Sequence, residues 1–305
     1  SFRLSGLPIT APANNRVQGA MAVLRITLRT ANPELTFAKL GLDRLRLHLR
    51  GIGAQAALLH ELLCTSTLGL ALADSPVDPR PTLLEPEALQ PAGFAAEEAA
   101  LPWPNRSFAG YRMLTEWFAF PEKFLYLDIN GLDARTLLQE SDKLDIFVYL
   151  SRAMPELERT LGPENVALGC TPAINLFPQR CEPISLDGTQ SEWMVVPDAR
   201  RPGALEIYSV EGVRESRSDG RRRTVLPFYR LGRSETDEAL LSEVNYVTFR
   251  RGATLPVTGT QTWIELRDAA FDPSQPAEGV LTVEALCCNR DLPALLPFGA
   301  GQPRL

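Results

Sequence analysis

Metal and acid–base chemistry would need histidine, cysteine or carboxylate groups at fixed spacings, and this sequence offers few of them. Its two histidines, His48 and His60, fall on a predicted strand and a predicted helix, and only Glu61 adjoins either of them. Zinc sites gather three or four ligands at regular spacing. We therefore expect structural or surface histidines and predict no metal site.

The five cysteines are an odd number, are spread widely and include no Cys-x-x-Cys pair. This pattern favours reduced thiols, as in the cytoplasm, over a disulfide scaffold. The adjacent Cys287 and Cys288 would point to opposite faces of a strand, which disfavours both a disulfide between them and a shared zinc ion. We expect buried thiols there. The cysteines are Cys64, Cys170, Cys181, Cys287 and Cys288.

Motifs for nucleophilic catalysis and phosphate binding are absent from the sequence. There is no Gly-x-Ser-x-Gly elbow and no His-Glu-x-x-His. Gly51-Ile52-Gly53 lacks the third glycine of a dinucleotide-binding loop, so it indicates a helix entry. The carboxylates of Glu97-Glu98 and of residues 235–238 lie in polar stretches that indicate solvated groups. We predict no catalytic residue and no cofactor.

An arginine cluster surrounds Asp219-Gly220, which is typical of a hairpin tip. A soluble turn would account for it. A docking site for an acidic partner surface would account for it too, because exposed arginine is favoured at interfaces. Nucleic-acid binding is a third reading, although the interleaved aromatics that stack on bases are missing. The candidate interface residues are Arg214, Arg217, Arg221, Arg222 and Arg223.

Composition limits what these residues can do. The chain has 305 residues, 45% of them hydrophobic and 22% charged, with a formal net charge of −6. These values are typical of a folded globular protein, and a net negative charge gives no reason to attract nucleic acid or an anionic membrane. No apolar run approaches the roughly 20 residues that a bilayer span needs, so we predict no direct membrane insertion. Because the chain opens at Ser1, without methionine, we expect a fragment of a longer protein.

The first half alternates strands with short helices. Period-two alternation predicts strands at Met21–Arg29 and Arg44–Arg50, and the cationic side of the second should face water or a partner. Helical spacing of leucines predicts a helix over Ala54–Cys64. Seven prolines in Asp74–Pro104 predict an irregular surface excursion. Tyr111–Phe118 can be helical, Lys123–Ile129 resumes as a strand, and Leu144–Leu150 reads as a central strand.

The second half is a series of short strands separated by turn residues such as Pro202-Gly203 and Arg251-Gly252. This pattern is typical of a β-sandwich or a barrel-like sheet. We therefore predict an α+β, β-rich fold with mostly antiparallel sheets in two domains, 1–168 and 169–305. The predicted strands are Glu192–Val196, Leu205–Val210, Thr224–Leu231, Val244–Arg250, Gln261–Leu266 and Val280–Ala285.

Four separated blocks of the sequence carry a family resemblance. They are Ser107–Leu132, Leu168–Phe177 with the nearby Glu182-Pro183-Ile184, Leu205–Val213 with Leu226-Pro227-Phe228-Tyr229, and Leu286–Gly299. In their order and spacing these blocks resemble the TssF family of type VI secretion baseplate proteins. In the first block a helix ends at Phe-Pro-Glu-Lys-Phe and passes into a strand, and we expect Leu114, Trp117 and Phe118 to form a buried helical face, with Phe124 packed on the following strand. Cys288 is a minor departure, because the family is associated with threonine at this position.

The resemblance implies a structural role without catalysis. TssF proteins are baseplate wedge components that assemble in the cytoplasm with TssG, TssE, TssK and further TssF copies. They surround the VgrG hub of a contractile sheath docked on the inner membrane. Function would then lie in broad contact surfaces whose rearrangement triggers contraction.

Two other classes remain open from the residues alone. A hydrolytic β-sandwich enzyme would need acidic residues converging in a cleft. A ligand-binding or adhesion module would need export, which odd cysteines and the lack of a signal sequence disfavour.

Overall fold

Strands dominate the fold, as the alternating apolar residues predict. The computed structural model describes residues 2–6, 17–32, 34–103, 107–133, 142–229, 244–253, 259–268 and 279–295. The chain divides into two compact units, residues 1–174 and 175–305. Antiparallel sheets with three short α-helices make up the described residues and confirm the predicted α+β, β-rich class. No helix in this part of the chain is long and apolar enough to span a membrane.

Within the described ranges, the first unit contains three α-helices and nine strands. The helices are α1 (Gln55–Ser66), α2 (Ala109–Ala119) and α3 (Pro155–Thr160). The strands are β1 (Phe2–Gly6), β2 (Ala22–Arg29), β3 (Arg44–Leu49), β4 (Thr67–Ala73), β5 (Thr82–Leu84), β6 (Leu89–Ala92), β7 (Tyr126–Asn130), β8 (Lys143–Leu150) and β9 (Val166–Ala167).

Two antiparallel sheets and α1 enclose the core of this unit. One sheet has the order β1-β2-β8-β4-β5 and the other the order β6-β7-β3-β9. Leu24, Ile146, Leu47 and Leu127 from the sheets meet Leu59 of α1 in a single buried cluster. The predicted helix and the predicted central strand are confirmed: α1 buries its leucine face, and β8 is buried along nearly all its length.

The proline-rich segment is more regular than predicted. It contributes β5, which pairs with β4, and β6, which pairs with β7. The prediction of an irregular excursion is wrong at these two places because strands of three or four residues are too short to show periodicity. Pro91 is tolerated within β6 because β6 lies at the edge of its sheet, where a backbone N–H is not needed on the outer side.

The cationic side of β3 is covered only in part: Arg44 and Arg50 are exposed, as predicted, whereas Arg46 and His48 are half-buried. Arg46 lies directly opposite Asp128 of β7 and donates from Nε and Nη2 to its two carboxylate oxygens, both at 2.7 Å. Arg46 also pairs with Glu98 at 2.5 Å, and His48 stacks on Tyr126 with ring centroids 4.3 Å apart. Asp128 on the neighbouring strand β7 therefore accounts for the partial burial of Arg46 in β3.

The second unit is built on one sheet. Its order is β10-β17-β13-β14-β15-β16-β12, with β11 also paired to β17, and among the strand pairs that the structure describes only β14 and β15 run parallel. The sheet curls as a half-barrel, which confirms the barrel-like prediction. The strands are β10 (Phe177–Arg180), β11 (Ile184–Leu186), β12 (Glu192–Met194), β13 (Glu206–Arg217), β14 (Arg222–Pro227), β15 (Val244–Gly252), β16 (Thr260–Asp268) and β17 (Gly279–Cys288).

All six predicted strands of this half are observed, although their ends differ by several residues. β13 is the longest, and Val213 packs with Val225, Ile264, Leu281 and Val283 in the core. Three parts of the sequence predictions lie outside the described residues. They are residues 230–231 of one predicted strand, the carboxylates at 235–238, and residues 296–299 of the fourth block.

Candidate interaction site

Helix α2 points its charged side chains inward and its apolar ones outward. The helix begins after Phe108 and ends at Ala119, two residues before Pro121, which could not continue it. Leu114, Trp117 and Phe118 are 58%, 49% and 83% exposed, so the predicted buried helical face is wrong. The two α2 residues that are buried are Arg112 and Glu116, four residues apart on the opposite face.

A buried ion pair holds this inverted orientation. Lys123, in the turn after α2, is 0% exposed and its Nζ lies 2.7 Å from Oε2 of Glu116, which is 1% exposed. Glu116 Oε1 accepts from the backbone N–H groups of Ala100 and Leu101 at 2.9 and 3.0 Å. Burial alone would raise the pKa of Glu116, but these N–H groups and the ammonium outweigh burial and hold that pKa below its usual value.

The same charges anchor the proline-rich segment. Lys123 Nζ donates to the Gly93 carbonyl at 2.6 Å, and Arg112 Nη1 donates to the Ala96 carbonyl at 3.2 Å. Gly93 has φ of +98°, and a Cβ there would lie 2.5 Å from the Lys123 carbonyl oxygen, so only glycine fits. Backbone groups of the segment without sheet partners are satisfied by these side chains, which explains why the polar face of α2 is buried.

Phe124 supports α2 from below. It is buried, and its ring lies 5.3 Å from Trp117 and 5.0 Å from Phe94 between centroids. Trp117 therefore keeps one face against the protein while about half of it meets solvent.

The outward side of α2 is an apolar surface without exposed charge on the helix itself. Tyr111, Leu114 and Phe118 recur at i, i+3 and i+7, so they form one stripe along the helix, flanked by Phe108 and Trp117. We name these five residues the α2 apolar face. Contiguous exposed apolar side chains of this kind mark interaction sites. Sequence reasoning missed this surface because the amphipathic pattern does not say which side faces inward.

The five candidate arginines lie on a hairpin, but they do not form one patch. Strands β13 and β14 pair with Glu215 opposite Arg223 and Ser216 opposite Arg222. Because alternate residues of a strand face opposite ways, Arg214 and Arg222 share one face, while Arg217 and Arg223 share the other. The structure thus divides the predicted cluster.

Carboxylates neutralise most of this cluster. Buried Glu215 accepts from Arg217 Nε at 2.8 Å and from Arg223 Nε, while Arg214 pairs with Glu284 of β17 at 2.8 Å. At the tip, Arg221 Nε lies 3.4 Å from Asp219 and is well exposed. Within the described residues, the side chain of Arg222 is exposed and makes no ion pair. The freely available positive charge is therefore confined to the hairpin tip.

The histidines, two of the cysteines and Glu98, the other candidates from the sequence, are all buried or half-buried. Burial lowers the pKa of both His48 and His60. Burial also raises the pKa of Cys181 to about 12 and of Cys287 to about 11, which keeps both thiols protonated at neutral pH. Glu98 accepts from the N–H groups of Gly93 and Ala95 in addition to Arg46. Among the residues that the structure describes, no group of three metal-ligating side chains converges.

Arg290, in the Asn-Arg-Asp-Leu-Pro turn of the fourth block, joins the ends of two strands. Its Nε donates to the Leu205 carbonyl at 2.8 Å and its Nη2 to the Thr260 carbonyl at 3.0 Å. Its backbone has φ of +51°, which is unusual for a residue other than glycine. This turn therefore has a structural role, because it connects the start of β13 to the start of β16.

The comparisons with known proteins decide the family. The family model of the type VI secretion system protein TssF matches residues 1–305. The chain belongs to the TssF family. It is 33% identical over 290 residues to the type VI secretion system component TssF1 of Pseudomonas aeruginosa strain PAO1, covering 92% of this chain and 46% of TssF1.

A solved structure agrees with this assignment. One chain in the cryo-electron microscopy structure of the type VI secretion system TssK-TssF-TssG baseplate subcomplex is similar at a TM-score of 0.64 and 25% identity. The similarity covers 88% of this chain and 47% of that one. The chain thus spans about half the length of the TssF relatives it matches.

Proposed function

We propose that this TssF-family chain is a structural component of a type VI secretion baseplate and assembles there with TssG and TssK. The observation that carries the proposal is its similarity, over 88% of its length, to a chain in the TssK-TssF-TssG subcomplex. Its function is then mechanical, and its working parts are contact surfaces in place of a catalytic centre.

The finer assignments follow from the family resemblance. The chain would be a wedge protein that also contacts TssE, VgrG and further TssF copies, and it would support sheath assembly and contraction. It would be cytoplasmic and recruited to the baseplate docked on the inner membrane. In this proposal it needs no cofactor and catalyses no reaction.

The α2 apolar face is the proposed main contact with another baseplate subunit. Four of its five large side chains lie on a helix that a buried ion pair fixes in place, and Phe108 directly precedes that helix, so the surface is ordered before a partner binds. Aromatic residues of this kind contribute most of the free energy at protein interfaces. The arginine hairpin is a second proposed contact for an acidic partner surface. Of its candidate residues Arg214, Arg217, Arg221, Arg222 and Arg223, the exposed Arg221 and Arg222 at the tip would meet the partner.

Co-purification of the full-length protein with TssG and TssK tests the proposal. Leu114→Ser with Phe118→Ser should weaken the complex by about 2 kcal/mol or more, roughly 30-fold, because buried apolar anchors are lost. Stability should stay within about 0.5 kcal/mol of the wild type, because both side chains are exposed. Binding is measured by titration calorimetry and stability by urea unfolding.

The matched control is Val77→Ser with Leu83→Ser, which removes two exposed apolar side chains elsewhere in the first unit. This control should bind like the wild type. A wild-type protein that stays monomeric beside both TssG and TssK would contradict the proposed function. A normal complex with the α2 variant would exclude only the α2 contact.

A further inference from the structure

An open groove of about 1290 Å³ crosses the first unit beside α2. It runs past the loop that leads into α1, the turn after α2, and the α3 segment with the residues that follow it. Its floor is apolar and includes Leu58, Leu125, Leu157 and Val166, while Trp117 of the α2 apolar face stands at one side. The groove is therefore continuous with the surface proposed above as an interface.

The side chains of Gln55 and Asn165 make hydrogen bonds between segments that line the groove. Gln55 Nε2 donates to the Thr160 carbonyl at 3.2 Å and to its hydroxyl at 3.1 Å. Asn165 Nδ2 donates to the Arg50 carbonyl at 2.9 Å and to Gln55 Oε1 at 3.2 Å. These bonds join the start of α1 to the end of α3 and to the residues that follow it, so the segments that line the groove are connected to one another.

The rim of the groove carries more exposed negative charge than positive charge. Glu122, Glu156 and Glu164 are exposed and line it. In the described part of the chain none of the three has an ion-pair partner, and Arg50 is the one exposed cation among the lining residues. An apolar floor below an acidic rim is complementary to an apolar ligand that carries positive charge along its sides.

We infer that this groove binds an amphipathic helix of a partner subunit, with an apolar stripe facing the floor and lysine or arginine flanking that stripe. This inference rests on the proposed function, and it adds the chemistry of the partner. Three turns of α-helix, about 16 Å long and 10 Å across, occupy on the order of 1,300 Å³, which agrees with the groove. Insertion of an amphipathic helix into an apolar groove is a common mode of recognition.

The charge distribution argues for this occupant over others. Nucleic acid and anionic lipid would be repelled by the three carboxylates. A second copy of this chain that inserted its own α2 would bring no cation beside the apolar stripe, because Arg112 is buried. A basic, amphipathic segment of another protein would not be repelled by the carboxylates, and it would bring cations beside its apolar stripe.

Two groove variants test the inference in the complex with TssG and TssK. Glu156→Lys with Glu164→Lys reverses the rim charge, and Ala57→Trp fills the groove from an exposed position on α1. Each should weaken the complex at least about tenfold, and the loss from charge reversal should shrink at high salt. The controls are Glu85→Lys with Glu87→Lys, and Thr65→Trp, which alter exposed positions away from the groove.

A peptide experiment keeps the inference testable if neither subunit binds. The probe is a fluorescein-labelled helical peptide of about four turns with leucines at i, i+3, i+4 and i+7 and lysines beside them. A second peptide has glutamates in place of the lysines. Fluorescence anisotropy should show at least about tenfold tighter binding of the basic peptide to the full chain, and Ala57→Trp should abolish binding of both.

The outcomes separate the two proposals. Failure of the wild type to bind TssG and TssK contradicts the proposed function, whereas a preference for the basic peptide that Glu156→Lys with Glu164→Lys removes still supports the groove. Equal binding of both peptides, or groove variants that form the wild-type complex as well as their controls, would overturn the inference.

Discussion

Helix α2 and the arginine hairpin use charged residues in opposite ways. In α2 the charges are buried and the apolar residues are exposed, because Glu116 and Lys123 satisfy backbone groups of the neighbouring segment. In the hairpin the core is apolar, and Glu215 lies buried between two partly exposed arginines. The first arrangement creates an apolar contact surface, and the second removes most of the charge from a basic one.

The difference shows that net charge in a segment is a poor guide to its surface. Five arginines within ten residues leave only the tip of the hairpin available, whereas a helix with two charged residues presents a broad apolar stripe. In each region the exposed surface depends on which buried polar groups need a hydrogen-bond or ion-pair partner. The following predictions test that explanation, beginning with the largest effect.

Lys123→Met should destabilise the first unit by about 3–5 kcal/mol, because it leaves the buried Glu116 carboxylate without its cation. The double variant Lys123→Met with Glu116→Leu should recover part of this loss, since no isolated charge remains. Urea unfolding measures both. A single variant that loses less than about 1 kcal/mol would show that the ion pair does not hold α2.

Glu215→Ala should destabilise the second unit by roughly 1–2 kcal/mol, because Arg217 and Arg223 lose a shared acceptor that is itself buried. The matched control is Glu284→Ala, which removes the partly exposed partner of Arg214 and should change stability by less than about 0.5 kcal/mol. Equal effects of the two substitutions would mean that burial of the carboxylate does not matter in the hairpin.

Acid should weaken the α2 region through Glu116. Its folded-state pKa lies below the ordinary value of 4.5, so the stabilisation is complete above about pH 4.5 and is lost as the pH falls through the folded pKa. Unfolding free energies measured from pH 6 to pH 3 should therefore fall less steeply for Glu116→Gln than for the wild type. Parallel curves would contradict a lowered pKa.

Arg221→Glu with Arg222→Glu should leave stability within about 0.5 kcal/mol of the wild type, because both side chains are exposed. If the hairpin is a docking site, binding of the acidic partner should weaken, most clearly at low salt. Arg223→Glu is the contrast: it should also lower stability, since Arg223 pairs with buried Glu215. Unchanged complex formation would exclude the hairpin contact.

Much of the fold was predictable, because long alternating strands and the leucine spacing of α1 depend on local periodicity. β5 and β6 were missed because three or four residues carry no clear period. The candidate site was predictable only in part. The arginines were found from composition, but their separation onto two faces depends on the pairing of Glu215 with Arg223.

The sequence by itself determined the strand pattern, the helix that ends before Pro121 and the family of the protein, since these rest on local periodicity and on motifs. Only the tertiary structure decided which side of α2 is exposed. A helical pattern defines two faces but not which of them faces inward. Here Glu116 faces inward because it binds backbone groups near Leu101, and Lys123 binds the carbonyl of Gly93, so Leu114 and Phe118 face outward.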